Sequence, residues 1–181
     1  MNNIRFRSIV PNDFESIREL HEEFFPVKYN DSFYIDSCNG KGMRGQPLYT
    51  CVACDEEDHV IGFLFGQFFH LSSCEEHFII DSKCKVNDVF YILTLGVRQE
   101  YRRTGLASEL LKKCCLFASS NTQCGAVYLH VLYTNMSAIQ FYEKNAFTYF
   151  SRISGKAFYT YTYIYVCYSS NNLLLLLAYI H

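Results

Sequence analysis

The sequence predicts an α/β or α+β domain in which helices flank a sheet of about seven strands. Short apolar runs typical of strands alternate along the chain with stretches whose apolar residues recur at helical spacing. Half of the 181 residues are hydrophobic and only 19% are charged, so the chain has enough apolar material for a core. This composition disfavours a disordered protein, and the length suits one domain.

The first quarter of the chain predicts a strand, a helix and a long loop. Residues 4–9 have the pattern of a short strand, and Pro11 then begins a helix with one apolar side. Pro26 ends this helix, because proline cannot continue the hydrogen-bond ladder. The Gly, Asn, Asp and Ser content of residues 28–47 predicts mostly loop.

The remainder predicts two hairpins with strands and helices between them. The first hairpin joins strands 48–54 and 60–69 through a polar turn, and residues 71–87 are polar and irregular. The later elements, in order, are a strand at 89–97, a helix at 106–119, a strand at 126–132, a helix at 135–144 and a hairpin of strands 147–153 and 158–168.

The charge pattern and the cysteines argue against some functions. The net charge is −2 with both signs interspersed, which disfavours a broad nucleic-acid-binding face. The first residues lack the apolar stretch of a signal peptide, so we expect the nine cysteines to be reduced thiols. The Cys51 and Cys54 pair lies in a strand-like run with no second pair to complete a zinc site. We therefore expect two small strand residues there, and no metal.

The predicted organisation is a domain at residues 1–168 and a short apolar tail at residues 169–181. Within the tail, residues 173–180 form an apolar run, whereas a membrane-spanning helix needs about 20 such residues. We expect the tail to pack on the domain, and contact with a membrane surface is the alternative.

The segment from Leu95 to Ser108 predicts a phosphate-binding loop. An apolar strand enters a basic, Gly-containing loop that leads directly into a helix. The first turn of a helix has unpaired N–H groups and a partial positive charge, which attract phosphate. Gly105 allows the backbone to approach a ligand closely, and Arg102 and Arg103 add charge. Neither the P-loop pattern nor the dinucleotide-binding pattern occurs in this segment.

Arg102, Gly105 and Ala107 form R-x-x-G-x-A, which resembles the pyrophosphate loop of the GCN5-related N-acetyltransferases (GNAT). A second block of that family follows at Asn135, Ala138, Tyr142 and Phe147, with Ala146 in place of the usual Gly. The resemblance implies the GNAT fold, with a central, mixed and mostly antiparallel sheet. It also implies acetyl-CoA as the co-substrate.

Three further segments resemble the protein Nα-acetyltransferases of this family, and especially the F type. They are Phe25-Pro26-Val27-Lys28-Tyr29, Tyr91-Ile92-Leu93-Thr94-Leu95-Gly96-Val97 and Val127-Tyr128-Leu129-His130-Val131-Leu132. The resemblance implies acetylation of protein N-termini that begin with Met before a hydrophobic or amphipathic residue. It also implies a cytoplasmic enzyme on the cytosolic face of the Golgi membrane, and we expect this enzyme to be a monomer.

The resemblance assigns roles to individual residues. Tyr91 and His130 hold the two general-base positions, and Phe25, Tyr29 and Leu93 line the substrate groove. The coenzyme positions are Leu95, Gly96, Val97, Arg102, Arg103, Thr104, Gly105, Leu106, Ala107, Ser108, Asn135, Tyr142, Glu143, Lys144 and Asn145. The other histidines, at 21, 59, 70, 77 and 181, are interpreted as structural.

The chemistry agrees with these residue types. An α-amino group has a reference pKa of about 7.7–8.0, so it must lose a proton before it attacks a thioester. Histidine accepts protons near neutral pH, which makes His130 the better intrinsic base, with Tyr91 orienting a water or sharing the role. A strand N–H near Leu95 to Val97 is the simplest oxyanion donor, and no covalent cysteine intermediate is required.

Two alternative functions remain open. Only residues 151–157 separate Phe150 from Phe158 in the last predicted hairpin, so the loop that closes over the peptide in related enzymes is shortened here. This shortening motivates a non-catalytic acetyl-CoA-binding module as one alternative. A lysine Nε-acetyltransferase of the histone type is the other.

Overall fold

The computed structural model describes residues 3–25, 28–74, 77–81, 83–154 and 161–168. In chain order the strands and helices are β1 (Arg5–Arg7), α1 (Phe14–Phe24), α2 (Asp31–Cys38), β2 (Tyr49–Cys54), β3 (Val60–His70), β4 (Asp88–Val97), α3 (Leu106–Ser120), β5 (Cys124–Leu132), α4 (Met136–Lys144), β6 (Thr148–Ser154) and β7 (Tyr161–Tyr168). The seven strands form one sheet in the order β1-β2-β3-β4-β5-β7-β6. β4 and β5 are parallel, whereas β1–β2, β2–β3, β5–β7 and β6–β7 are antiparallel. The predicted mixed sheet is confirmed.

The chain forms two compact units. One comprises Met1–Gln67 with Leu93–Cys114, and the other comprises Phe68–Ile92 with Cys115–His181. In the first unit, α1 and α2 bury apolar side chains against those of β2 and β3. The buried members of this core include Ile17, Leu20, Tyr34, Cys38, Val52, Phe63 and Phe65.

The prediction that residues 28–47 are mostly loop missed α2, which occupies Asp31–Cys38 within this segment. Asn30 caps the helix, and its side-chain oxygen accepts a hydrogen bond from the Phe33 N–H at 3.2 Å. Tyr34 and Cys38, one turn apart, are both buried in the core of the first unit. The polar composition of the segment gives no indication of these few tertiary contacts.

In the second unit, β4 and β5 place their side chains in a defined register. Tyr91 lies opposite Tyr128, and Ile92 opposite Leu129 is the last pair of this ladder. Residues 71–87 are irregular where described, as predicted. They contain two short 3-10 turns, at Leu71–Ser73 and His77–Ile79. Cys74 from this segment is buried against Tyr128 in the core of the unit.

The other described elements match the predictions within a few residues, except that the first helix begins with a 3-10 turn at Pro11–Asp13. On α3, Leu110, Leu111 and Cys114 are buried, and Phe117 is 42% exposed with its ring 5.7 Å from that of Phe68 and 6.0 Å from that of Phe90. Pro26, residues 155–160 of the shortened loop and the tail at 169–181 lie outside the described residues. Within the described residues, no helix combines the length and the apolar character needed to cross a membrane.

The eight cysteines whose side chains the structure describes are free thiols. Cys51 and Cys54 are both buried in β2, and burial raises the pKa of the Cys54 thiol to about 11. A thiol with such a pKa is a poor nucleophile at neutral pH, because the thiolate is the reactive form. The prediction that this pair consists of small strand residues is confirmed.

Candidate active site

Tyr91 and His130 form a hydrogen-bonded pair. Tyr91 lies in β4 and His130 in β5, two residues beyond the Tyr128 that faces Tyr91 across the parallel ladder. The Tyr91 hydroxyl and the His130 Nδ1 are 3.0 Å apart, and their ring centroids are separated by 5.2 Å. The structure therefore brings the two predicted general-base residues into direct contact.

This contact allows a proton to move between the two groups. The tautomer of His130 determines which of the two side chains donates the hydrogen bond. In either arrangement, one hydrogen bond connects the group that takes up a proton to the other group of the pair. Both side chains are half-buried, so the pair is partly shielded from water while a substrate can still reach it.

Sequence reasoning missed two residues that support this pair. Tyr128 packs its ring 4.9 Å from that of Tyr91 and lies edge-on to His130 at 6.0 Å. Its hydroxyl is 3.3 Å from the Cys74 Sγ. Side chains two apart on a strand share a face, so the Tyr-Leu-His pattern could have identified Tyr128. No sequence signal points to Cys74, since it lies in an irregular segment 54 residues before Tyr128 in the chain.

The basic loop before α3 has the geometry of an anion-binding site. The first hydrogen bond into this helix runs from the Glu109 N–H to the Gly105 carbonyl at 3.1 Å, so the N–H groups of residues 106–108 precede the ladder. Arg103 and Gly105 have φ values of 64° and 91°, in the left-handed region. Turns of this kind direct successive N–H groups toward one side, where they bind anions.

Side-chain contacts hold this loop in place. The Arg102 Nε donates a hydrogen bond to the Val97 carbonyl at 3.1 Å, and its guanidinium lies 5.4 Å from the centre of the Phe24 ring. The Thr104 hydroxyl donates to the Tyr101 carbonyl at 2.7 Å. Arg102 therefore positions the loop, whereas the exposed Arg103 side chain has no such contact among those described.

The strand that leads into this loop requires glycine at position 96. A Cβ atom built there would collide with the Phe24 ring, which lies directly against the backbone of β4. Leu93 and Leu95 are half-buried in the same strand, and Val97 is buried. Gly96 is thus explained by close packing of α1 on the strand.

The second family block forms α4 and its two caps. Asn135 caps the N-terminus, and its side-chain oxygen accepts a hydrogen bond from the Ala138 N–H at 3.1 Å. At the other end, the Phe147 N–H donates to the Tyr142 carbonyl and the Ala146 N–H donates to the Glu143 carbonyl, at 3.0 and 3.2 Å. This is a Schellman motif, completed by the contact between the Tyr142 and Phe147 rings at 5.7 Å.

The predicted coenzyme residues of α4 occupy different environments. Tyr142 and Asn145 are buried, and the Asn145 amide donates to the Phe141 carbonyl at 2.7 Å. Glu143 and Lys144 are both exposed, and Lys144 is the last residue of the helix. The structure thus gives Asn145 a capping role, and its predicted contact with a coenzyme stays a prediction.

Replacing Ala146 by glycine is expected to stabilise the protein. Ala146 has a φ of 63°, a conformation that costs a residue with a Cβ roughly 1–2 kcal/mol. Glycine removes this strain, and part of the gain is offset by the greater freedom of glycine in the unfolded chain. We expect a net gain of about 0.5–1 kcal/mol, measured by urea unfolding. A loss of stability would contradict the left-handed conformation at this position.

The predicted substrate residues Phe25 and Tyr29 lie around a third ring, that of His21. The centroid of the His21 ring is 4.6 Å from that of Phe25 and 5.2 Å from that of Tyr29. Tyr29 is 46% exposed and Phe25 is half-buried, so both present ring surface to solvent. Leu93 belongs to the same unit and is half-buried in β4.

The predicted site residues thus form separate groups in the structure. Tyr91, His130 and the residues of α4 lie in the second unit, whereas residues 93–108 and the aromatic pair before α2 lie in the first. Within each unit the structure brings together the side chains just described.

Comparison with known proteins identifies the family of this chain. The model of the acetyltransferase (GNAT) family matches residues 14–147. Histone acetyltransferase MCC1 of Arabidopsis thaliana is 33% identical over 161 residues, which cover 84% of this chain and 63% of that protein. N-alpha-acetyltransferase 60 of Xenopus tropicalis is 31% identical over 169 residues, with coverage of 87% and 67%. The chain spans roughly two thirds of the length of these relatives.

A solved structure shows the same fold. Arabidopsis thaliana NAA60 in complex with a bisubstrate analogue superposes with a TM-score of 0.81 and 28% sequence identity. The match covers 92% of this chain and 98% of that chain. The same plant protein in complex with acetyl-CoA gives a TM-score of 0.80. The hydrogen-bonded Tyr–His pair, the anion-binding loop and these matches lead to one conclusion: the chain belongs to the acetyltransferase (GNAT) family.

Proposed function

We propose that this chain transfers the acetyl group of acetyl-CoA to the α-amine of protein N-termini. The hydrogen bond between Tyr91 and His130 is the observation that carries the proposal, since it supplies a base where an amine must lose its proton. The names of the relatives support it, because N-alpha-acetyltransferase 60 occurs among them in Xenopus tropicalis and Danio rerio.

In this mechanism His130 accepts the proton of the substrate ammonium group, and Tyr91 shares or relays that proton through its hydroxyl. Acetyl-CoA supplies the acetyl group as a thioester. The neutral amine attacks the thioester carbonyl and forms the C–N bond of a tetrahedral oxyanion. Collapse of this intermediate breaks the C–S bond, the nitrogen loses its second proton, and the departing thiolate takes up a proton. The main-chain N–H groups of β4 between Leu95 and Val97 are the donors we assign to the oxyanion.

The loop before α3 fits the pyrophosphate of the co-substrate. Positive φ values at Arg103 and Gly105 and the first turn of the helix provide N–H donors and a favourable dipole. A Cβ built at Gly105 meets no heavy atom within 4 Å, so this position borders open space. A phosphate group can therefore approach the backbone there.

We further propose which N-termini this chain acetylates and where in the cell it acts. The acceptor peptide begins with Met followed by a hydrophobic or amphipathic residue, and Phe25, Tyr29 and Leu93 line its groove. The protein acts as a monomer on the cytosolic face of the Golgi membrane, with peripheral contact through the apolar run at 173–180. Flotation of the full chain with Golgi-like vesicles, against a chain ending at residue 168, tests the last point.

Lysine acetylation is the second candidate, since the relative in Arabidopsis thaliana is named a histone acetyltransferase. An assay with Met-Leu and Met-Lys peptides, each with a free or a blocked N-terminus, separates the two. We expect acetylation of the free peptides and loss of activity when the α-amine is blocked. Activity on the blocked Met-Lys peptide would support the lysine reading, and binding of acetyl-CoA with no turnover would support a non-catalytic module.

A further inference from the structure

His21 is a buried histidine at the end of α1, and it is only 4% exposed. Five aromatic rings surround its imidazole, with centroid separations between 4.6 and 6.5 Å. They belong to Phe25, Tyr29, Phe33, Tyr34 and Phe63. Sequence reasoning interpreted this histidine as structural, because nothing in its local pattern indicates a role.

The electrostatic surroundings favour a neutral imidazole. Burial lowers the pKa of His21, because desolvation penalises the charged form. The neighbouring Glu22 carboxylate, 3.4 Å from the Lys28 ammonium, raises the pKa of His21, but this effect is smaller than that of burial. The Tyr34 hydroxyl lies 3.4 Å from the His21 Nδ1. At neutral pH, His21 therefore acts as a flat, uncharged ring with one polar edge.

This ring supports both aromatic residues of the proposed groove. The Phe25 N–H donates a hydrogen bond to the His21 carbonyl at 2.9 Å, so side chain and backbone contacts both connect these residues. On the other side, Tyr29 stacks on Phe33 at 4.2 Å and meets His21 edge-on. Since His21 is buried while Phe25 and Tyr29 present surface to solvent, the imidazole lies behind the two groove residues.

We propose that His21 is a positioning residue for the peptide: it holds Phe25 and Tyr29 in the orientation that binds the first residues of the substrate. This inference rests on the proposed function. His21 belongs to the first unit, whereas the Tyr91–His130 pair lies in the second. Its loss therefore weakens peptide binding without altering proton transfer.

The test compares ring-free and ring-retaining variants with a Met-Leu peptide at saturating acetyl-CoA. His21→Leu and His21→Gln remove the ring, and each is expected to raise the KM for the peptide about tenfold, because two ring contacts are lost. The turnover number and the KM for acetyl-CoA stay unchanged. His21→Phe restores a ring and is expected to bring the peptide KM within about twofold of the original value.

Cys38→Ala is the matched control, since it truncates a buried side chain of the same core and leaves all the aromatic rings around His21 in place. Its peptide KM is expected to stay unchanged, which separates positioning from general loss of stability. An unchanged peptide KM in the ring-free variants overturns the inference, as does an equal change in all kinetic constants. Peptide binding is also measured by calorimetry with CoA present. If the original protein neither binds nor acetylates the peptide, the proposed function fails and the inference fails with it.

Discussion

Replacing His130 by alanine is expected to lower kcat by about 100- to 1,000-fold, because the amine then loses its principal proton acceptor. Tyr91→Phe removes only the hydroxyl and is expected to reduce kcat by about tenfold. The two residues share one hydrogen bond and act on one proton, so the double variant should lose little more than His130→Ala alone. Steady-state kinetics with a Met-Leu peptide provides the measurement.

Matched controls distinguish chemistry from folding. Tyr133→Phe removes a hydroxyl from a tyrosine that is 43% exposed beyond β5, and His59→Ala removes an exposed histidine from the turn after β2. Both are expected to keep full activity. Circular dichroism establishes that each variant is folded. A rate for His130→Ala within twofold of the original would show that the proton acceptor lies elsewhere.

Gly105→Ala is expected to raise the KM for acetyl-CoA by at least about tenfold. The new methyl group would occupy the open space where we place the pyrophosphate, and thus separate it from the N–H donors of the loop. The substitution also strains a residue with a φ of 91°, which costs about 1 kcal/mol of stability. Initial rates at varied acetyl-CoA measure the first effect, and urea unfolding measures the second.

Gly40→Ala provides a control with the same backbone strain. Gly40 has a φ of 69°, and a Cβ built there also meets no heavy atom within 4 Å. It follows α2 in a turn to which no site residue has been assigned. We expect a similar loss of stability with an unchanged KM for acetyl-CoA. If both variants bind acetyl-CoA as the original protein does, the loop before α3 is not the phosphate site.

Local patterns were sufficient for most of the fold. The strands at β2, β3 and β4 and the helix α3 follow from apolar periodicity, because each buries a continuous face or run. α2 escaped prediction because three of its apolar residues, Phe33 to Ile35, are consecutive and do not recur at helical spacing. Its stability depends on Tyr34 and Cys38 reaching a core formed by distant segments. Phe117 of α3 contacts the rings of Phe68 and Phe90 but stays 42% exposed, because apolar spacing gives a face while the neighbouring elements decide how much of it is covered.

The candidate site likewise has residues that the sequence identifies and contacts that only the structure shows. The family motifs identify Tyr91, His130 and the loop around Gly105 by residue type and spacing alone. Their spacing does not reveal that the Tyr91 hydroxyl meets the His130 Nδ1, since 39 residues separate them and only the parallel register of β4 and β5 joins them. Cys74 and His21 carry no motif, so their contacts with the predicted site residues could be found only in the structure.

The sequence by itself determined the family, the candidate site residues and the order of the elements apart from α2, because these depend on residue types at short spacing. The tertiary structure decided which side chains meet: the 3.0 Å contact of Tyr91 with His130, the close approach of Phe24 to Gly96, and the aromatic rings around His21. It also placed Ala146 in a left-handed conformation at the end of α4. Such contacts arise from strand register and the packing of distant segments, and the local pattern of residues does not encode either one.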